Sequence, residues 1–283
     1  NVSPVVVVPG LFTAAELQFD AENVATQMTN NTGFNCNAAK VLVLSADWPQ
    51  RRDFLDLLRS VLATLPPRRA YYPGAADRYA RFVGAYPGAE VVGAEAEGAL
   101  PWTLLMDVDA RERDQPAFRE ESFCGVTAVT TLPGRDARGF LKRAVDFCNE
   151  TLWGTLNACL IVHPRTRAAL GPAFEQALEA LRYGSIGVNH WPALSYGLGT
   201  TTWGAYPGHT ADDIQSGVGV VHDTYLFDRP EKSIIEGPFR VSPKPPWFVT
   251  HANAAGVARA LLQMEHSPSL LRLPGLVWQA VRG

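Results

Sequence analysis

The chain has 283 residues, 47% of them apolar, and its 25 Lys and Arg against 28 Asp and Glu leave a net charge of −3. A globular chain of this length buries roughly 70–75% of its unfolded surface, so one large core forms without a metal or disulfide staple. The near-neutral balance with no Lys/Arg block argues against nucleic acid and membrane as partners, and the apolar run at 5–8 is far shorter than a bilayer span and has no basic lead-in of a signal peptide.

The run at 5–8 lies between Pro4 and Pro9-Gly10 and is β-branched throughout, which predicts a strand buried on both faces of a parallel sheet. Thr13 and Glu16 form a capping-box pair, and Leu17, Ala21, Val24 and Met28 follow at helical spacing, so a helix is expected to end near 30–33. A second strand is predicted at 41–44, then an amphipathic helix from Phe54 to Leu65, stopped by Pro66-Pro67. The middle reads as a Tyr71-Tyr72-Pro73-Gly74 turn, a short helix at 77–85, and strands at 90–92 and 102–108. From Val126 the alternation resumes: strand to Leu132, helix at 136–148, strand at 159–162, one helix at 165–181, and strand at 185–188.

Strands alternating with helices of three to five turns imply crossover units. The predicted fold is therefore α/β, a mostly parallel open sheet with helices on both faces, and its ligands are expected beyond the carboxyl ends of the strands. The segment 189–219, rich in Gly, Thr, Tyr and Trp and without period, reads as a long functional loop. After a Pro-rich bridge at 243–246, two helical patterns at 252–264 and 268–281 form a helical C-terminal tail. The expected division is a domain over 1–240 and a tail over 241–283.

Of the four cysteines, none forms a C-x-x-C pair and none has a histidine spaced to complete a metal site, so free thiols, a reducing cytoplasmic compartment and no bound metal are expected. Cys148 shares a helical face with Phe140, Leu141, Ala144 and Val145, and Cys159 sits in an apolar strand; both read as core. Cys36, in Gly33-Phe34-Asn35-Cys36, occupies the connection between a helix and a strand, where a thiol either packs as a small hydrophobe or opens into a cleft. Glu120-Glu121 before Ser122-Phe123 either accepts from ligand hydroxyls or forms a solvated turn. His222-Asp223 would serve as base and orienting acid only if folding carried them to Cys36. The sequence contains no G-x-G-x-x-G, no P-loop and no G-x-S-x-G elbow.

In order and spacing these pieces resemble the catalytic half of the aldehyde dehydrogenase superfamily. Gly33-Phe34-Asn35-Cys36 is similar to the family's Gly-Gln-x-Cys nucleophile motif, with Phe34 in place of Gln. Glu120-Glu121-Ser122-Phe123 falls where the family has Glu-Glu-x-Phe-Gly-Pro, with Cys124-Gly125 replacing Gly-Pro. The stretch 144–162 resembles the family's helix-Asn-x-x-x-x-Gly-Leu-strand region, and Gly184 through Asn189 its Gly-x-x-x-x-Asn. The Pro-Phe-Gly-Gly signature is replaced by Tyr196-Gly197-Leu198-Gly199, and the likeness covers about residues 1–240.

The resemblance implies that Cys36 attacks an aldehyde as a thiolate, that a thiohemiacetal loses hydride to NAD or NADP, and that the resulting thioester is hydrolysed. It places Glu121 on the nicotinamide ribose and Phe123 near the nicotinamide. Phe34, Asn35 and Asn189 become substrate contacts, and the loop 191–203 lines the substrate tunnel. It also implies that the general base and the cofactor domain lie upstream of Asn1, which leaves the isolated chain inactive, and that a homo-oligomer pairs through an edge strand at 233–239. Two other readings stay open: an enzyme that passes the thioester to coenzyme A, and a non-catalytic assembly module that keeps only the fold.

Overall fold

The computed structural model describes all 283 residues, which divide into two compact units, Asn1–Phe239 and Arg240–Gly283. In the first unit the chain runs β1 (Pro4–Val7), α1 (Ala14–Thr29), β2 (Val41–Ser45), α2 (Arg51–Thr64), α3 (Ala75–Ala85), β3 (Ala89–Val92) and β4 (Trp102–Leu105). It continues through α4 (Pro116–Arg119), β5 (Val126–Leu132), α5 (Ala137–Glu150), β6 (Asn157–Ile161), α6 (Pro164–Leu170), α7 (Pro172–Ala180) and β7 (Ser185–Val188). It ends with α8 (Ala193–Leu198), β8 (Trp203–Gly204), β9 (Val220–Val221) and β10 (Ser233–Glu236).

Eight strands form one open sheet in the order β10-β7-β6-β1-β2-β5-β4-β3, parallel except for the antiparallel β3 at the edge. β1 lies at the centre, and its four residues are all buried, as a β-branched run covered on both faces requires. α1 packs on α2, whereas α5 packs on α6 and α7, so the helices fall into two layers. Right-handed crossovers dictate that division: the chain moves from β1 to β2 in one direction and from β6 to β7 in the other, which puts their helices on opposite faces.

Local chemistry sets the element ends. The Thr13 hydroxyl accepts from Glu16 N–H at 3.3 Å while Thr13 N–H donates to the Glu16 carboxylate at 2.7 Å, which closes the capping box on α1. α1 gives way after Thr29 to a 3-10 turn whose Asn31 and Thr32 hold positive φ, the start of the loop that carries Cys36. α5 is capped by Asp136, whose carboxylate accepts from Gly139 N–H at 2.7 Å. The single helix expected at 165–181 is instead two, because Gly171 turns left-handed at φ 52° and Pro172 supplies no N–H to continue the first. The segment 189–219 is not structureless: it holds α8 and the outer strand of the short β8–β9 ladder. The strand expected to reach 108 stops at Leu105, and Asp107 takes φ 54° in the turn that follows.

The second unit consists of α9 (Ala254–His266), a 3-10 turn (Leu270–Arg272) and α10 (Leu273–Ala280). Asn253, at the start of α9, donates to Gln279 O at 3.0 Å and to its side-chain oxygen at 2.7 Å, so the two helices pack as an antiparallel hairpin. No helix of the protein is long and apolar enough to cross a membrane.

Candidate active site

The connection from α1 to β2 is pinned from three sides. The Cys36 carbonyl accepts from Asn157 Nδ2 at 3.0 Å and from the Ser3 hydroxyl at 3.3 Å, which ties it to the amino ends of β6 and β1. The Asn35 amide donates to Asn30 Oδ1 at 2.9 Å, and its oxygen accepts from Asn37 N–H at 2.8 Å, so this side chain shapes the turn on which the thiol sits. Lys40, buried at the head of β2, donates through one ammonium to Gly33 O and Cys124 O, both at 3.0 Å. That single cation locks the Cys36 loop to the segment that carries Glu121 and Phe123. Burial pushes the Lys40 pKa down, against the pull of the Glu121 carboxylate.

Cys36 is exposed, and the other three thiols are buried. Partial loss of water and the nearby Glu121 carboxylate raise its pKa, while its own N–H and the Asn37 N–H draw it back down. The Asn37 amide also donates to the sulfur at 3.6 Å. Burial carries the Cys159 thiol up to about 12 and raises that of Cys148 further still. Iodoacetamide is therefore expected to modify Cys36 in the folded chain at least about tenfold faster than Cys148 or Cys159, and all four alike in denaturant. Peptide mapping after short exposure checks this; equal native labelling would contradict it.

The two adjacent carboxylates have different surroundings. Glu120 is in a bidentate pair with Arg81 at the surface, at 2.6 Å for one of its contacts, and that pair holds its carboxyl below the usual range. Glu121 turns inward: one oxygen lies 3.0 Å from the Asn1 main-chain nitrogen, and the other is buried with no partner. An orphaned buried carboxylate oxygen is an acceptor without its donor, and the Glu121 charge is near enough to act on the Cys36 thiol. Because Glu121 raises the Cys36 pKa, Glu121→Gln is expected to lower it and to speed iodoacetamide modification about two- to fivefold at pH 7.5. The pH dependence of the alkylation rate measures this shift, and an unchanged midpoint would refute it.

Phe123 holds a left-handed φ of 41° and meets the Tyr72 ring edge-on at 4.9 Å. Phe34 stacks on Tyr72 at 5.6 Å and meets Tyr71 edge-on at 5.2 Å. Residues 34 and 123 thus meet across an aromatic cluster whose two tyrosines face solvent. Arg78 donates to Ser122 O at 3.2 Å and holds the base of the cluster.

All of these groups precede their strands. Cys36, Glu121, Asn1 and Asn157 stand at the amino ends of β2, β5, β1 and β6, the opposite end of the sheet from the carboxyl ends where ligands are expected. Asn189 does not join them: it follows β7, and its side-chain oxygen accepts from Val162 N–H at 2.7 Å beyond the carboxyl end of β6. The loop after it does return, since the Trp191 indole donates to Asn37 O at 2.9 Å. His222 stacks on Tyr196 at 4.7 Å and is not among the groups that act on the Cys36 thiol. Sequence reasoning missed Lys40, Asn37 and Asn157; the available signal was a lone lysine leading an otherwise apolar strand, four residues after the cysteine. The protein has no cluster of three or more His, Cys, Asp or Glu able to hold a metal.

Aldehyde dehydrogenases of known structure share this mostly parallel open sheet with its flanking helices. Salicylaldehyde dehydrogenase from Pseudomonas putida G7, solved with salicylaldehyde, superposes with a TM-score of 0.58 at 17% identity, over 79% of this chain and 44% of that one. Lactaldehyde dehydrogenase from Escherichia coli gives 0.54 at 16% identity over 78% and 43%. The NADP-dependent glyceraldehyde-3-phosphate dehydrogenase from Bacillus halodurans C-125, complexed with NADP, gives 0.53 at 17% over 68% and 38%. The chain spans less than half the length of each of these proteins. No protein-family model matches the sequence, and no curated protein matches it.

Proposed function

We propose that this chain is the catalytic portion of an NAD(P)-dependent aldehyde dehydrogenase, with Cys36 as nucleophile. One observation carries the reading: the cysteine of the Gly33-Phe34-Asn35-Cys36 motif is the exposed one of four, and the Glu121 carboxylate, with one unpartnered oxygen, is near enough for its charge to act on that thiol. Aldehyde dehydrogenases of known structure share the fold, which supports the class of reaction.

The residues fit one end of a nicotinamide cofactor. The free oxygen of Glu121 is an acceptor for a ribose hydroxyl, and Phe123, backed by Tyr72, offers an aromatic surface to a flat ring. When bound, NAD(P)⁺ supplies the hydride acceptor. The chain's own part concerns sulfur and oxygen. The Cys36 thiolate adds to the aldehyde carbon, the C–S bond forms, and the carbonyl oxygen gains negative charge and takes up the proton the thiol gave up. No carbonyl engages the Cys36 N–H, which leaves it to meet that oxyanion; such donors contribute typically about 3 kcal/mol. After the carbon is oxidised, water cleaves the C–S bond, releasing the acid and the thiol. Small-molecule aldehydes are the substrate class, the aromatic cluster of Phe34, Tyr71 and Tyr72 lies beside the thiol loop to contact them, and the β10 edge is the pairing surface proposed for an oligomer.

Protection of the thiol tests this. Aliphatic and aromatic aldehydes are expected to slow iodoacetamide modification of Cys36 in a saturable way, leaving the other thiols unaffected. A full panel without protection would end the proposal. Appearance of reduced nicotinamide in the complete protein, with free acid or acyl-coenzyme A as product, then fixes the cofactor and the acceptor.

A further inference from the structure

The end of the sheet opposite the Cys36 loop carries a cavity. Its volume is about 370 Å³, and it is lined by the loops that follow β1, β2, β5 and β6. β2 is five residues long, so this cavity stands about 17 Å from the Cys36 loop at the other end of that strand. It lies where the winding of the sheet reverses: the chain leaves β1 toward α1 on one face and β6 toward α6 on the other. The two departing loops cannot fill the space between them, which is the physical reason open α/β sheets bind ligands there.

The lining is specific. Arg135 reaches the cavity from the loop after β5 and Arg165 from the first turn of α6, and neither guanidinium has a hydrogen-bond or carboxylate partner. Thr166 lines the same space with an unengaged hydroxyl. Leu11, although 82% exposed, and the buried Trp48 give it an apolar wall. Asp47 is the one acid in the lining, and its carboxylate is fastened to Gly134 N–H at 2.9 Å, where it holds the loop. Gly10 packs so closely that a Cβ there would lie 2.6 Å from the Thr166 hydroxyl oxygen, so the loops after β1 and β6 are seated against each other.

We infer that this crevice binds a small organic phosphomonoester, the phosphate between Arg135, Arg165 and Thr166 and the organic body against Leu11 and Trp48. Two guanidiniums without acidic partners and one hydroxyl match the donor needs of a phosphate, and bidentate guanidinium contacts recognise it best. The volume falls in the range of small-molecule sites. The site is separate from the thiol, so it stands whether or not the aldehyde reading does.

The test is titration of the 283-residue chain with phenyl phosphate by calorimetry, with inorganic phosphate and phenol as comparators. Saturable binding of phenyl phosphate, tighter than either comparator, is expected. The double variant Arg135→Gln/Arg165→Gln should weaken it about tenfold or more, and Asp47→Asn, which keeps the acceptor for Gly134 but removes the charge, should tighten it. Both arginines are exposed, so an unchanged melting temperature verifies that the variant is folded. Modification of Cys36 should leave the binding unaltered. No saturable binding, equal binding to the double variant, or inorganic phosphate binding as tightly as phenyl phosphate would each overturn the inference.

Discussion

Cys36→Ser is expected to abolish acyl transfer by the chain while leaving its melting temperature unchanged. An activated ester such as p-nitrophenyl acetate delivers an acyl group without hydride transfer, so it reports on the nucleophile alone. The native chain should release one burst of nitrophenolate per Cys36 and carry the acetyl group there. Serine keeps the shape but not the chemistry: its hydroxyl is far from ionised near neutral pH and is a much poorer nucleophile than a thiol. The burst rate should fall about a thousandfold or more, as removal of a nucleophile does in other enzymes. Stability should move by less than about 0.5 kcal/mol, because the side chain is exposed and its polar contact is the Asn37 amide, 3.6 Å from the sulfur. The control is Cys148→Ser, with opposite expectations. That sulfur is on the buried face of α5, in the core, so a hydroxyl there loses about 1–3 kcal/mol of stability with the burst intact. If Cys36→Ser keeps the burst, the nucleophile has been misassigned.

How much of this was legible in the sequence depends on the distance over which each signal acts. The capping box of α1, the all-buried valines of β1 and the Pro66-Pro67 stop after α2 are local, and a reader of residues finds them without coordinates. The break between α6 and α7 was equally local, written as Gly171-Pro172, but the apolar spacing on both sides reads through it. The site was legible as residue types in order and not as geometry. Nothing near Glu121 in sequence shows that one carboxylate oxygen pairs with a group 120 residues away while the other is left over. Nothing near Cys36 shows that Asn157 and Ser3 hold its carbonyl. The rule that places ligands at carboxyl strand ends misled the reading for the thiol, because the loops that matter there enter β2 and β5 and do not leave them. Asn189 came from the order of motifs along the chain, which places it after β7 but does not say what its side chain holds, the Val162 N–H.

Gly33→Ala is expected to cost the fold about 2–4 kcal/mol and to remove the heightened reactivity of Cys36 together with it. Two independent causes add. Gly33 has φ 78°, in the left-handed region that disfavours a side chain, at a penalty of roughly 1 kcal/mol. A Cβ on it would also lie 2.5 Å from Cys124 O and 2.6 Å from Cys124 C, and those are backbone atoms with no rotamer to give. The contact sits at the joint that Lys40 ties, since its ammonium donates to Gly33 O and to Cys124 O. Relief of the clash must push the cysteine loop away from the Glu120–Cys124 segment, stretching those two hydrogen bonds and exposing a buried cation or leaving it unpaired. The consequence for the site is separation of Cys36 from Glu121 and of Phe34 from Phe123. Chemical denaturation gives the stability change, and the pH midpoint of iodoacetamide modification gives the geometry. In the variant the Glu121 contribution to the Cys36 pKa should vanish, so adding Glu121→Gln should shift the midpoint no further. A Gly33→Ala chain of native stability, in which Glu121→Gln still lowers the midpoint, would show that the two segments are not held together through this contact.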